Sequence, residues 1–330
     1  MKVIIPLAGK GTRLRPHTYV TPKPLLRVAD KPVMSYILDD LKELGVTEAV
    51  FITGYLKEKI EDYVRREYPD FTSHFVEQAV QNGTAGAVQL AEEYVDEDVL
   101  IIFVDTLFDA DLSLIKELPE DEAGVIWVKE VEDYQRFGVV VSDSDGYMQR
   151  IVEKPKDPIS KMANIGLYYI RDWQLLFEGI RHVMEGTKGP GEEYYLTDAF
   201  QYMIDHGAKI RTVPVEGWYD CGAKGTLLET NEHLLRTSRG RRPDGGTSVK
   251  IHDPVRIAEG VELHDAEIGP NVTIGTGSVI HGAKLSNTII GEKTRIENAT
   301  LHDSLIGDRV LVRGVSGSLN VGDDSEVVGG

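Results

Sequence analysis

Basic residues are outnumbered. Against 54 Asp and Glu the chain sets only 36 Lys and Arg, a formal net charge of -18 over 330 residues. Proteins that grip nucleic acid present a basic face, so this balance excludes a general nucleic-acid binder, and any phosphate site must be local. Cysteine is nearly absent: Cys221 stands alone, which excludes an internal disulfide framework. The nine histidines are dispersed and offer no zinc-ligand spacing. No stretch approaches the roughly 18 apolar residues that span a bilayer, so no membrane partner is expected. The opening MKVIIPLAGKG carries an apolar run too short for a signal peptide, and the cytoplasm is the expected compartment. What remains, 41% hydrophobic and 27% charged residues, is ordinary for a soluble globular protein long enough for two domains.

Up to Leu235 apolar runs of strand type alternate with helical patterns. KVIIPLA is followed by VMSYILDDLKEL, EAVFITG by LKEKIEDYVRREY, and HFVEQ and DVLIIFVD flank a helical segment from Ala85 to Tyr94. Such alternation predicts an α/β fold with a doubly wound, Rossmann-like, mostly parallel sheet, whose ligands sit at the carboxyl ends of strands. The text RTSRGRRPDGGT, Arg236 to Thr247, has no apolar periodicity and marks a linker over 236–250. Beyond it, Ile251, Ile257, Leu263, Ile268, Ile274, Ile280, Leu285, Ile290, Ile296, Leu301, Ile306 and Val312 recur in steps of six with several of five. Glycine follows five of the repeat's branched residues, at Gly269, Gly275, Gly291, Gly307 and Gly322. This hexapeptide pattern predicts a parallel β-helix over 251–330, with the apolar residue of each short strand pointing inward.

The stretch LAGKGTRLRPHTYVTPKPL, from Leu7 to Leu25, follows the first apolar run. It lacks the Gly-Lys-Ser/Thr end of a Walker A loop, and Leu14 stands where a dinucleotide fingerprint needs its third glycine. What it does hold is Gly9, Lys10, Gly11, Thr12 and Arg13. Glycines let backbone N–H groups turn toward an anion, and an arginine can grip phosphate oxygens in pairs. Lys23 lies between Pro22 and Pro24, which restrain the backbone that carries it.

Here the sequence closely resembles the sugar-1-phosphate nucleotidylyltransferases, whose pattern G-x-G-T-R-L-x-P followed by P-K-P-L matches Gly9 to Pro16 and Pro22 to Leu25. The likeness continues through QAVQNGTA (Gln78 to Ala85), FVDTLFD around Asp105, FGVV at Phe137, EKP at Glu153, ANIGLY at Ala163, EEYYLTD at Glu192 and WYDCG at Trp218. GWYDCG, LLETNEHLL and the closing SLNVGDDSEV resemble the long form of glucose-1-phosphate thymidylyltransferases, and the repeat resembles left-handed β-helices, in roughly four coils. Two positions depart from the family pattern: Val104 precedes Asp105 where glycine is usual, and Lys10 stands where many members have glycine.

The resemblance implies a catalytic domain over 1–235 and a reaction in which a sugar 1-phosphate attacks the α-phosphate of a nucleoside triphosphate. It implies that Arg13 holds the departing β- and γ-phosphates and that Lys23 stabilises charge growing on the α-phosphate. It places Leu7, Ala8, Gly9, Gly11 and Thr12 along the nucleotide, with Gln78, Gly83 and Thr84 at the base. Lys154 is expected on the sugar phosphate, with Gly138, Glu153 and Asn164 at or near the sugar hydroxyls. Asp105 and Asp220 are expected to hold Mg²⁺, a hard ion that suits a few carboxylates with substrate phosphates. dTTP or UTP with glucose 1-phosphate is the leading pair. GTAGA also resembles mannose-1-phosphate guanylyltransferases, and a non-catalytic nucleotide-sugar-binding subunit is the alternative from another class. Hexapeptide β-helices occur in acyltransferases too, but His264, His281 and His302 are scattered along this short repeat, so the repeat is expected to serve structure or a homo-oligomer. Cys221, beside Asp220, is expected to be a buried spectator.

Overall fold

The computed structural model describes residues 1–237 and 248–330. The linker expected over 236–250 falls mainly on 238–247, outside the described residues; a helix ends before it at Thr237 and a strand begins after it at Lys250. By packing, the chain forms two compact units. One comprises Met1–Gly9 and Ile37–Trp218, the other Lys10–Tyr36 and Tyr219–Gly330. Among the described residues no helix is long and apolar enough to cross a membrane.

In the first unit, one sheet runs in the order Thr72–Glu77, Glu48–Thr53, Lys2–Pro6, Val99–Ile102, Met162–Ile170, Gly138–Ser142, Met148–Glu153. The first four strands are parallel. Their cores are apolar runs buried on both faces, as in Val3, Ile4 and Ile5, because helices cover a parallel sheet from both sides. Met162–Ile170 then runs antiparallel to Val99–Ile102 and to Gly124–Glu130, which has Ile210–Pro214 as a parallel neighbour. The sheet is therefore mixed: its second half includes the Gly138–Ser142/Met148–Glu153 hairpin, and a hairpin can only join antiparallel strands. The helix Trp173–Glu185 starts where the Asp172 carboxylate accepts the Leu175 N–H at 3.1 Å, and it buries Leu176, Phe177 and Ile180 in the core beside Phe200 and Tyr168. The order of the parallel strands reverses between Lys2–Pro6 and Val99–Ile102. Their carboxyl ends, at Leu7–Gly9 and Phe103–Asp105, thus flank the crevice where sheets of this kind bind ligands.

The second unit carries the repeat as a left-handed β-helix, its strands only two to seven residues long and all paired in parallel. Three columns stack through it. Ile251, Ile268, Leu285 and Leu301 lead to Gly317. Ile257, Ile274, Ile290, Ile306 and Val321 form the second, and Leu263, Ile280, Ile296, Val312 and Val327 the third. Each column has five levels where about four were expected, because Leu263 to Ile268, Ile280 to Leu285 and Ile296 to Leu301 are steps of five that shorten every coil. Full burial of one such aliphatic side chain contributes about 1.5–3 kcal/mol, so stacking rather than local propensity holds strands this short. The glycines serve the same stacking: a Cβ on Gly275 would stand 2.6 Å from the carbonyl carbon of Gly291, and one on Gly291 2.5 Å from that of Gly307.

Candidate active site

At the sheet's switch point the chain leaves Lys2–Pro6 through buried Leu7 and Ala8 to exposed Gly9. Leu7 N–H donates to Ile52 O at 2.7 Å, and Gln81 Nε2 donates to Ala8 O at 2.7 Å. Gln81, which the sequence reading passed over, thereby ties the QAVQNGTA segment to the end of the first strand. Gln78 is buried, and its Nε2 donates to Gly83 O at 3.2 Å and to Asn82 Oδ1 at 3.3 Å. Its two amide protons are spent on its own loop, which leaves Oε1 to act as an acceptor. Gly83 has φ +114°, and a Cβ there would lie 2.3 Å from Tyr194 O. This close passage is stitched by Tyr194 N–H to Asn82 O at 2.8 Å and Ala85 N–H to Tyr194 O at 3.0 Å, and the Thr84 hydroxyl accepts Leu196 N–H at 2.9 Å. Asp105 lies partly buried in the turn after Val99–Ile102, next to buried Val104.

Gly138, Glu153 and Asn164 come together on neighbouring strands, with Lys154 directly after the strand that ends at Glu153. A Cβ on Gly138 would sit 2.2 Å from Asn164 Nδ2 and 2.8 Å from both Glu153 Oε2 and Thr197 Cγ2, so the three side chains close over a bare backbone. Asn164 Nδ2 donates to Gly138 O at 2.9 Å, and the Tyr168 hydroxyl donates to Asn164 Oδ1. A carbonyl can only accept, which fixes the amide's orientation and leaves one N–H and one lone pair for a ligand. Burial pushes the Tyr168 phenol well above its ordinary range, with the charges of Glu153 and Asp105 adding to it, so it remains a donor. Lys154 sits at φ +46°, its Nζ 3.0 Å from Tyr195 Oη and 3.8 Å from Glu153 Oε1. Burial pulls the Lys154 ammonium down, but the Tyr195 hydroxyl and the Glu153 carboxylate outweigh it and leave it above its ordinary value. Tyr168, Tyr195 and Thr197 were assigned no role from the sequence. Two of them lie in EEYYLTD, the segment that could have pointed to them.

Glu153 is the electrostatic cost of this cluster. Burial raises its pKa, and Lys154 and the Thr197 hydroxyl, 3.3 Å away, only partly offset that. A carboxyl whose folded pKa is raised adds stability while protonated and loses it as pH rises through the folded value. At neutral pH the ionised form therefore opposes folding. Glu153→Gln is expected to raise the melting temperature by roughly 2–4 °C at pH 7 and to flatten its decline above the ordinary glutamate range. A fall in the midpoint would show instead that the Lys154 pair outweighs burial.

In the second unit, the 3-10 turn Thr12–Leu14 exposes Arg13 and is anchored by buried Leu14. Gly11 enters it in the left-handed conformation, and its carbonyl accepts the Thr18 hydroxyl at 2.8 Å. Lys23 opens the third 3-10 turn of this loop, Lys23–Leu25, after His17–Tyr19 and directly after the extended Pro22. Asp220 is held by two donors, Gly222 N–H on Oδ1 at 2.7 Å and the Thr226 hydroxyl on Oδ2 at 3.3 Å. Arg13 lies beside it: a Cβ on Gly222 would stand 2.6 Å from Asp220 Oδ1 and 3.0 Å from Arg13 Nη2. The structure thus brings Arg13 and Asp220 to either side of one bare α-carbon. Cys221 is buried with its sulfur 3.8 Å from Tyr219 O, remote from solvent.

A family model described as Nucleotidyl transferase matches residues 2–237. Similar curated proteins include "Bifunctional protein GlmU" of Methanocaldococcus jannaschii, 37% identical over 236 residues that cover 71% of this chain and 54% of the relative. The chain thus spans about half the length of that relative. "Low-salt glycan biosynthesis nucleotidyltransferase Agl11" of Haloferax volcanii is 31% identical over 324 residues, 89% of this chain and 88% of the relative. A glucose-1-phosphate thymidylyltransferase of Streptomyces antibioticus is 30% identical over 316 residues, 88% of this chain and 87% of the relative. Among solved structures, a UDP-glucose pyrophosphorylase complexed with UDP-glucose superposes with a TM-score of 0.62 at 24% identity, covering 72% of this chain and 99% of that one, a likeness of fold.

Proposed function

We propose that this chain, which belongs to the nucleotidyl transferase family, transfers the nucleotidyl group of dTTP or UTP to glucose 1-phosphate and releases pyrophosphate. The observation that carries the reading is the cluster of Gly138, Glu153, Lys154 and Asn164. An ammonium with a raised pKa suits a phosphate dianion, and beside it a carboxylate and an amide with capacity to spare suit sugar hydroxyls. Residues 1–235 are taken as the catalytic region and 251–330 as a β-helix domain that also serves self-association, in the cytoplasm.

The nucleophile is a sugar-phosphate oxygen already ionised at neutral pH, so the reaction needs no general base. That oxygen forms a bond to the α-phosphorus as the bond to the bridging oxygen of the β-phosphate breaks, and pyrophosphate leaves with the bonding pair. The protein's contribution is alignment and neutralisation of charge. In this reading Arg13 holds the β- and γ-phosphates, and Lys23 meets charge developing on the α-phosphate. Lys154 holds the attacking phosphate. Leu7 to Gly9, Gly11 and Thr12 line the nucleotide with backbone, and Gly83 and Thr84 shape the loop under the base. Gln78 offers an acceptor, which suits the ring N3–H of thymine or uracil and not the unprotonated ring nitrogen on the pairing edge of adenine or cytosine.

Mg²⁺ is part of the proposal. The residue types fit it: each Asp220 oxygen accepts one hydrogen bond and keeps further lone pairs, and Asp220 and Asp105 are both hard carboxylates of the kind the ion favours beside phosphates. When bound, the ion would supply positive charge to the triphosphate. The test is pyrophosphate release from a grid of nucleoside triphosphates against glucose, mannose, galactose and N-acetylglucosamine 1-phosphates, with and without Mg²⁺. Turnover is expected with dTTP or UTP and glucose 1-phosphate, and ATP and CTP are expected to be poor. A blank grid from folded protein would overturn the enzyme, and turnover confined to ATP would overturn the role given to Gln78.

A further inference from the structure

The loop that bears Arg13 and Lys23 is irregular, built of three 3-10 turns, yet by its contacts it belongs to the same compact unit as the β-helix. One outward-facing column of the β-helix explains this. Thr273, Ile289 and Leu305 lie between or beside inward residues of their strands, stack in register and lead to Asn320 in the last coil. The first three are buried although they point away from the helix interior, because the Lys224–Thr237 helix packs along this side.

Two polar members of the column reach the two ends of the loop, Thr273 through Asn231 of that helix and Asn320 directly. At one end, the Thr273 hydroxyl donates to Asn231 Oδ1 at 2.7 Å, and the same oxygen accepts the Ala29 N–H at 2.9 Å. At the other, Asn320 Nδ2 donates to Arg15 O at 3.1 Å, and its Oδ1 lies 2.9 Å from His17 Nε2. A carbonyl cannot donate, so Asn320 must turn its amine toward Arg15, and His17 must then present a protonated Nε2 to Oδ1. Pro16 rests on the same coil: a Cβ on Gly322 would stand 3.1 Å from Pro16 Cβ. Lys224, which opens the helix after Asp220, reaches Ser318 Oγ in this coil at 2.8 Å. The β-helix therefore fastens the chain directly at Arg15 and His17, just after Arg13, and through Asn231 at Ala29, beyond Lys23.

We infer that the last coil of the β-helix, through Asn320, positions the phosphate loop for catalysis. Asn320 is a positioning residue that acts through His17 and the Arg15 carbonyl, and the inference rests on the roles proposed for Arg13 and Lys23. A polar residue ends this outward column because there it meets backbone and imidazole groups of the loop. An aliphatic residue, as at Leu305 one coil earlier, would leave the Arg15 carbonyl and the His17 N–H without that partner.

The test is Asn320→Leu, which removes both hydrogen bonds and keeps a side chain branched at Cγ, beside Asn320→Asp, which keeps the acceptor for His17. Arg13→Ala and Lys23→Ala serve as reference variants, all in the full-length protein. For Asn320→Leu, kcat is expected to fall about tenfold, within the ~10²-fold that a 1 Å misplacement can cost, while KM for the sugar 1-phosphate stays within about twofold. Asn320→Asp is expected to recover a substantial part of kcat. Imidazole ¹⁵N spectra should show His17 as the Nε2–H tautomer in the wild type and a changed ring signal in Asn320→Leu. An unchanged kcat in Asn320→Leu, with Lys23→Ala inactive, overturns the inference and leaves the proposed function standing. So does a loss matched by global unfolding or shared by KM, or a His17 signal indifferent to the substitution. If Arg13→Ala and Lys23→Ala both turn over normally, the proposed roles fall first, and the inference with them.

Discussion

Lys23→Ala should lower kcat by about 10²–10³-fold, the usual consequence of removing one preorganised group aimed at developing charge, while the fold survives. The reaction brings a triphosphate and a phosphate monoester, both anions, together at a pentacovalent centre with charge crowded on the α-phosphoryl oxygens, and no proton transfer relieves it. A fixed ammonium is worth most where charge appears only in the transition state, so the loss should fall on kcat and spare KM. Lys23 is suited to that by its backbone: Pro22 sets the extended entry, and the Lys23–Leu25 turn closes with Leu25 N–H on Pro22 O at 2.8 Å. Its side chain is only half-buried, so truncation leaves no cavity and the melting temperature should move by no more than a few degrees. Steady-state kinetics beside circular dichroism decide the matter, and near-normal kcat would remove Lys23 from the mechanism.

Gly83→Ala should destabilise the first unit by about 2–6 kcal/mol, from steric overpacking together with a left-handed φ that an L-residue adopts at a cost. The new methyl would stand 2.3, 2.6 and 2.9 Å from the O, N and C atoms of Tyr194, all backbone, so no side chain can swing aside. Relief requires parting the hydrogen bonds that join Asn82 and Ala85 to Tyr194, and with them the perch of Gln78 on Gly83 O. Denaturant unfolding should show the loss in stability, and nucleotide affinity should weaken in the fraction that remains folded. A midpoint within 0.5 kcal/mol of wild type, set against the ~1 kcal/mol typical of substitutions, would mean that the passage opens freely.

Gly83 also marks the boundary of what could be read from the chain. The segment QAVQNGTA points to a nucleotide site only because its residue types and order resemble a family. The physical demand on its glycine, a backbone 111 positions later passing within contact distance, was not, because no local pattern encodes which remote strand or loop arrives there. The parallel strands and the hexapeptide columns were legible for the opposite reason: each is a periodic or contiguous pattern whose burial follows from its own spacing. The coil count came out low, at roughly four, although the five-residue steps that shorten each coil were already visible between Leu263 and Ile268 and between Ile280 and Leu285. The partners of the site residues, Tyr168, Tyr195, Thr197 and Asn320, stayed hidden because a single polar contact between distant segments leaves no periodic trace. Asn320 and Arg15 are separated by 305 positions.

The central claim is that this protein moves an intact nucleotidyl group onto a sugar phosphate. Incubation with Mg²⁺, glucose 1-phosphate and dTTP or UTP labelled with ³²P at either the α or the γ position tests it directly. The α label is expected in the nucleotide-sugar and the γ label in pyrophosphate, in equal amounts. Release of the γ label as inorganic phosphate, or failure of folded protein to transfer the α label to any sugar phosphate offered, would contradict it.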